Sequence, residues 1–209
     1  ITSSAGGPFP DRARLDRVLT TFQGEIEQVP PIYSAIKQGG EALYAKARRG
    51  EAVTAAAREV TIYVLDLVRY EPPSLDIRVR CSKGTYIRSL AHDLGQALGT
   101  GAYLAGLRRE ASGPFTLAHA HTLAELEQAA VEGRLAKFLL SPGAGLDELP
   151  AVPVTPEQAT ALHHGQTIDG PSAPTGTVGR ALLDGQLVAI VEYDSRAGRW
   201  QPRKVLAQK

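Results

Sequence analysis

The 209-residue chain has no methionine, a single cysteine, one tryptophan and almost no net charge. Each scarcity excludes something. With Cys81 alone there is no internal disulfide and no cysteine metal cluster, which suits a reducing cytoplasm. The 23 basic and 22 acidic residues leave a net charge of +1, so any affinity for a polyanion must come from local patches. No stretch approaches the ~18 apolar residues of a membrane helix, and no secretory signal pattern is visible, so no membrane association is expected. Methionine is absent even at position 1. From this we expect that Ile1 lies within a longer reading frame. What is present is ordinary for a globular protein: a hydrophobic content of 43% can build a core.

Residues 1–10 are rich in Ser, Gly and Pro and read as a loop. Asp11 can cap a helix with Leu15, Val18, Leu19 and Phe22 on one face, ending near Gly24. Pro30-Pro31 predicts an extended stretch from Ile32 to Gln38, followed by Gly39-Gly40 and a short helix near 41–49. Residues 58–71 read as a long strand. Pro72-Pro73-Ser74 then turns the chain into a second, antiparallel strand. Leu75, Ile77, Val79 and Cys81 alternate there with Asp76, Arg78, Arg80 and Ser82. A helix is predicted over 87–98, stopped by Gly99, and helical patterning returns at 122–140. Near Gly143–Pro153 the texture changes to Pro, Gly and Thr with short strands. The run 177–183, Asp184-Gly185, 186–193 predicts a hairpin, and a third strand is expected around Val205 and Leu206.

The strand-to-helix corner Cys81-Ser-Lys-Gly-Thr-Tyr-Ile-Arg88 carries the densest chemistry. Lys83, Tyr86 and Arg88 crowd around Gly84, which permits a sharp turn or close approach to a ligand. A phenol, a guanidinium and an ammonium suit an anionic aromatic ligand such as a nucleotide, although many such corners carry these residues for turning and solubility. Basic residues cluster at Lys46/Arg48/Arg49, Arg78/Arg80/Lys83/Arg88, Arg108/Arg109 and Arg196/Arg199/Arg203/Lys204. Each alone reads as a solvated face; together they can meet a phosphate backbone. Tyr33, Tyr44, Tyr86 and Tyr103 are interleaved with the first three, a pattern suited to stacking on unpaired RNA bases. His163-His164 lacks converging partners, so no metal site is expected. Gly99-Thr-Gly101 is too short for a phosphate-loop fingerprint, no serine nucleophile elbow is present, and Asp93 reads as a residue supporting its own helix.

From about residue 11 onward the chain resembles the bacterial tRNA pseudouridine-55 synthases of the TruB type. The resemblance rests on Gly24-Glu-Ile-Glu-Gln-Val-Pro-Pro-Ile-Tyr-Ser-Ala-Ile-Lys37, Leu43-Tyr44 with Ala47-Arg48 and Gly50, and Cys81–Arg88. Asp93-Leu94-Gly95, Gly101-Ala102, Leu107-Arg108-Arg109 and Ser112-Gly113-Pro114-Phe115 continue it in order. The tail resembles a PUA domain, a small RNA-binding β-barrel, through Leu187-Val-Ala-Ile190 and Pro202-Arg-Lys-Val205.

The resemblance implies an α+β fold: a mixed, mainly antiparallel pseudouridine-synthase sheet flanked by helices, over residues 1–148, and a PUA-like β-barrel over 149–209. It implies isomerisation of a flipped-out uridine in the tRNA T-loop, by an aspartate nucleophile and with no metal or organic cofactor. By motif match Arg88 pairs with that aspartate, Tyr86 lines the base pocket and Leu107 forms an apolar wall. Residues 24–50 grip the T-loop. Tyr33, Lys37, Arg48, Lys83, Arg108 and Arg109 contact RNA, and the tail holds the acceptor end. A monomer is expected. One element departs from the pattern. The Gly-x-Leu-Asp-Pro-like segment that bears the nucleophile, and the stacking tyrosine beyond it, are not among these 209 residues. We therefore expect this chain to be inactive alone, and a sheet without that segment to expose an edge and an apolar face. Two other readings stand beside the enzyme: a non-catalytic tRNA-binding or tRNA-folding module, and a structural protein that uses its tail for interaction.

Overall fold

A computed structural model describes residues 8–51, 53 and 55–206; the start of the expected N-terminal loop lies outside them. The contacts divide the chain into two units, Ile1–Arg108 and Arg109–Lys209.

The first unit begins with helix α1, Arg12–Thr21. Asp11 caps it as predicted, its carboxylate accepting from the Arg14 N–H at 2.7 Å. Strand β1, Gly24–Gln28, comes next, then the short strands β2, Lys37–Gln38, and β3, Glu41–Ala42. Helix α2 spans Leu43–Arg48. Strands β4, Arg58–Glu71, and β5, Ser74–Cys81, lie where the sequence predicts them, and helix α3, Ile87–Leu98, closes the unit's regular structure.

The sheet order is β1-β4-β5, antiparallel throughout. Leu65 pairs with Val79 and Leu67 with Ile77, so inward residues of both strands share a face. Against that face α1 brings Leu15 and Leu19, and α3 brings Leu90, Leu94 and Leu98. Burying each leucine is worth about 1.5–3 kcal/mol. The exposed Arg12–Asp16 pair at 3.0 Å is worth only about 0.3–0.5 kcal/mol, so apolar packing holds the helices on the sheet.

Gly95 fixes the path of the chain beyond α3. A Cβ there would stand 2.1 Å from the Ala102 nitrogen and 2.3 Å from the Gly101 carbonyl carbon. After Gly99, left-handed at φ 75°, the chain folds back over the helix, and the N–H groups of Thr100 and Gly101 donate to the Gly95 carbonyl at 3.1 and 3.0 Å. Alanine would gain about 1 kcal/mol of helix propensity. Overpacking against backbone costs about 1–3 kcal/mol or more, so the steric term wins. We expect Gly95→Ala to lower the urea unfolding midpoint; an unchanged or higher midpoint would refute the close approach.

The second unit starts with the two-residue strands β6, Ala111–Ser112, and β7, Phe115–Thr116. The helical patterning at 122–140 divides into α4, Leu123–Val131, and a 3-10 turn at Leu135–Phe138. Gly133, left-handed at φ 68°, separates them. Then come β8, Ala151–Pro153, helix α5, Pro156–His163, and strands β9, Val178–Leu183, β10, Gln186–Asp194, and β11, Arg199–Val205. The hairpin at Asp184-Gly185 is as predicted, with φ of 48° and 78°. The sheet runs β11-β10-β9-β8, with β8 parallel to β9. Its core gathers Val152, Leu162, Ala181, Val191 and Trp200. Trp200 is 1% exposed and its indole N–H donates to the Pro171 carbonyl at 2.9 Å. Only an Ile168–Trp200 bridge adds to the outer edge of β11, and no pairing among the described residues closes this sheet into a barrel.

Candidate active site

The corner after β5 is stapled to β4. The Ser82 N–H donates to the Thr61 carbonyl at 2.8 Å, and Ser82 Oγ accepts from the Thr61 N–H at 2.9 Å. Thr85 Oγ1 donates to the Ser82 carbonyl at 2.9 Å, and Gly84 makes the turn at φ 87°. Lys83 lies exposed at its tip. Tyr86 remains extended, at φ −102° and ψ 106°, and α3 begins without a side-chain cap.

The residues at the end of β1 and just beyond it are tied to this corner at three points. Gln28, 1% exposed, accepts from the Tyr86 N–H at 2.7 Å and donates to the Tyr86 carbonyl at 3.1 Å. Ser89 Oγ donates to the Val29 carbonyl at 2.8 Å. Arg88 Nη2 donates to the Tyr33 carbonyl at 3.0 Å. Tyr33, Tyr86 and Arg88 are thus brought together by backbone acceptors as well as side chains. Arg88 is exposed, and among the described residues no carboxylate pairs with its guanidinium.

Beyond Tyr33 the chain makes a small basic hairpin. Ser34 is buried, its Oγ has no hydrogen-bond partner among the described residues, and its carbonyl accepts from the Tyr44 N–H at 3.2 Å. The expected extended stretch Ile32–Gln38 is a strand only at Lys37–Gln38, where it pairs with Glu41–Ala42 around Gly39-Gly40. Arg49 is committed to Glu41 and Glu51, with Nη2 2.8 Å from Glu41 Oε2. The Arg49 hydrogen bond holds the Glu41 carboxyl below the usual range, and the same bond, aided by Glu51, pushes the guanidinium up. Arg48 instead lies over the Tyr44 ring at 5.5 Å, a cation–π distance. Lys37 has no ion-pair partner among the described residues.

Leu107, Arg108 and Arg109 lie outside helix and strand. Leu107 is 66% exposed on the irregular segment after α3, and Arg108 beside it is exposed. Arg109 is exposed and opens the second unit. No hydrogen bond or ion pair among the described residues joins Leu107 or Arg108 to Arg88. Of the fourth basic cluster, Arg199 pairs with Asp169 at 3.1 Å and Arg203 with Glu192 at 3.0 Å. Among the described residues no three His, Cys, Asp or Glu side chains converge as metal ligands, and no helix is long and apolar enough to cross a membrane.

Sequence reasoning missed Gln28 and Ser89. A signal existed for the first: Gln28 continues the inward register of Ile26 along β1, and a polar residue facing inward needs partners.

A strand-to-helix corner bearing Tyr and Arg, laced to a basic hairpin, defines a surface suited to a nucleotide-containing polymer. Residues 3–87 match the TruB family pseudouridylate synthase (N terminal domain), and residues 88–145 match the tRNA pseudouridylate synthase B C-terminal domain. The chain is 44% identical over 199 residues to tRNA pseudouridine synthase B of Pseudomonas aeruginosa (strain UCBPP-PA14), covering 93% of this chain and 65% of that protein. It is 41% identical over 206 residues to tRNA pseudouridine synthase B of Dehalococcoides mccartyi, covering 96% and 67%. The chain belongs to the TruB family of pseudouridylate synthases. It spans 65% of the length of the Pseudomonas relative. Its fold is also that of the chain in an H/ACA RNP bound to a substrate RNA containing 2'-deoxyuridine, with a TM-score of 0.72, 21% identity, and coverage of 98% of this chain and 64% of that one. A Cbf5-Nop10-Gar1 complex gives 0.68 at 25% identity, covering 98% and 63%.

Proposed function

We propose that this chain is the larger part of an enzyme that converts uridine to pseudouridine in the T-loop of tRNA, at position 55. The observation that carries the reading is the Arg88 guanidinium: Nη2 anchored on the Tyr33 carbonyl, next to Tyr86, with no carboxylate partner among the described residues. A guanidinium held at one corner keeps its other N–H groups for a second, bidentate acceptor. The aspartate nucleophile fills that role from a segment outside these 209 residues.

The target uridine leaves the base stack, at a cost of a few kcal/mol. Tyr86 lines its pocket and Leu107 walls the opposite side. Arg88 keeps the carboxylate ionised and oriented. The glycosidic C1′–N1 bond breaks, the base rotates, C1′ bonds to C5, the C5 proton leaves to solvent, N1 takes up a proton in its place, and the carboxylate is regenerated. The reaction is an isomerisation that consumes no oxidant, reductant or co-substrate. The segment 24–50 grips the T-loop, with Tyr33 available for stacking and Lys37, Arg48, Lys83, Arg108 and Arg109 near phosphates. Residues 1–148 complete the catalytic domain once the nucleophile's segment is present. Residues 149–209 act as a PUA-like domain on the acceptor end. The enzyme works in the cytoplasm as a monomer.

Release of tritium from 5-tritiated uridine in a T-arm transcript tests the reading. The protein encoded by the complete gene should release one equivalent per RNA. Tight binding with no release would favour the non-catalytic tRNA-binding module.

A further inference from the structure

We propose that Gln28 is a positioning residue for the uridine pocket: its buried amide clasps both backbone polar groups of Tyr86 and so sets where the Tyr86 ring and Arg88 point. The inference rests on the reading of Tyr86 and Arg88 as pocket residues.

An extended residue presents its N–H and C=O on the same side, as in the hydrogen-bonded pairs of an antiparallel sheet. Tyr86 is extended, and the Gln28 amide meets both groups, accepting at 2.7 Å and donating at 3.1 Å. Gln28 is also the last residue of β1, paired through its backbone register with Arg58 of β4. Its side chain therefore carries the position of the sheet across to the first turn of α3. The helix has no side-chain cap of its own, and the Tyr86 carbonyl also receives the Leu90 N–H at 3.0 Å, opening the helical ladder. With the Gln28 and Leu90 donors, both acceptor sites of that carbonyl are filled. Ser89 and Arg88 add one bond each to the same stretch, at Val29 and Tyr33, but neither holds Tyr86 itself. Without the amide, the origin of the Tyr86 ring and of the Arg88 turn is free to shift. A displacement of about 1 Å at a reacting centre costs on the order of 10²-fold in rate.

The test uses the protein encoded by the complete gene, T-arm RNA labelled with 5-tritiated uridine, and two variants. Gln28→Leu should lose about 10²-fold in kcat, with RNA affinity changed by less than about threefold. Its Tyr86 amide should exchange with solvent faster than in wild type. Gln28→Glu separates positioning from packing. A protonated carboxyl offers the same acceptor and donor as the amide, whereas the ionised form offers acceptors only and sets charge against the Tyr86 carbonyl. Burial raises the introduced acid above its ordinary value of about 4.3. The kcat of Gln28→Glu relative to wild type should therefore rise as pH falls from about 8 to about 6, while the Gln28→Leu ratio stays flat. If Gln28→Leu fails to fold, Gln28→Glu alone decides through its pH profile. Wild-type kcat in Gln28→Leu, a loss confined to KM, or a Gln28→Glu ratio flat with pH would overturn the proposal. An inactive wild-type protein would overturn the proposed function instead, and exchange at Tyr86 would then judge the clasp by itself.

Discussion

Arg88→Ala should abolish turnover while leaving tRNA affinity within about threefold of wild type. The asymmetry comes from what the guanidinium touches. Its one hydrogen bond among the described residues goes to the Tyr33 carbonyl, at an exposed position, so its loss is a small term for the fold. In the pocket proposed above, the same side chain would face the nucleophilic carboxylate. Removing one partner of a buried ion pair costs about 3–5 kcal/mol. At 1.36 kcal/mol per decade that is on the order of 10²–10⁴ in rate. A residue that only touched phosphate would behave otherwise: binding would weaken, the salt slope would fall by about one, and kcat would be spared. Arg88→Lys should rescue little, because an ammonium cannot hold the Tyr33 carbonyl and a carboxylate in one planar fork. Single-turnover kinetics beside a filter-binding isotherm separate these outcomes.

The second large effect concerns the 209 residues by themselves. They should bind T-arm RNA yet form no pseudouridine, and the deficit against the protein encoded by the complete gene should be on the order of 10⁴–10⁶, as for loss of a nucleophile. Several aspartates of this chain have partners of their own among the described residues. Asp11 caps α1 and Asp16 pairs with Arg12. Asp76 faces Arg69 at 3.8 Å on the sheet, and Asp147 pairs with Arg180. Asp66 pairs in register with Arg78 across β4 and β5, and Asp93 lies within α3. None of them bonds Arg88. Supplying a Gly-x-Leu-Asp-Pro-bearing segment, fused or in trans, should restore turnover. Measurable pseudouridine from the 209 residues alone would show that one of this chain's own aspartates serves as the nucleophile.

Much of the first unit was legible in the sequence because its periodicity is clean. Strand β4 is Arg58–Glu71 and α3 is Ile87–Leu98, the spans read from the sequence, with Gly99 marking the helix end. Strand β1 was not legible: Gly-Glu-Ile-Glu-Gln has one apolar residue, and its pairing to β4 is a long-range event that local pattern does not encode. Helix α5 was hidden by the Pro and Thr around it. Yet Thr155 with Gln158 is a capping box and Pro156 stands at the first helical turn, signals that mark a start rather than a loop. The site was legible in part. Tyr86 and Arg88 announce themselves by residue type, but the acceptor that anchors Arg88 is a backbone carbonyl, which any residue could supply. The clasp on Tyr86 was equally silent, since an amide gives no hint of which backbone it will reach.

The most direct measurement of the central claim is the position of pseudouridine in tRNA treated with the protein encoded by the complete gene, mapped by primer-extension stops after carbodiimide modification. One new stop, at uridine 55 of the T-loop, absent with Arg88→Ala, is the expected result. Full occupancy of the tRNA with no new stop, or a stop that persists in Arg88→Ala, would contradict it.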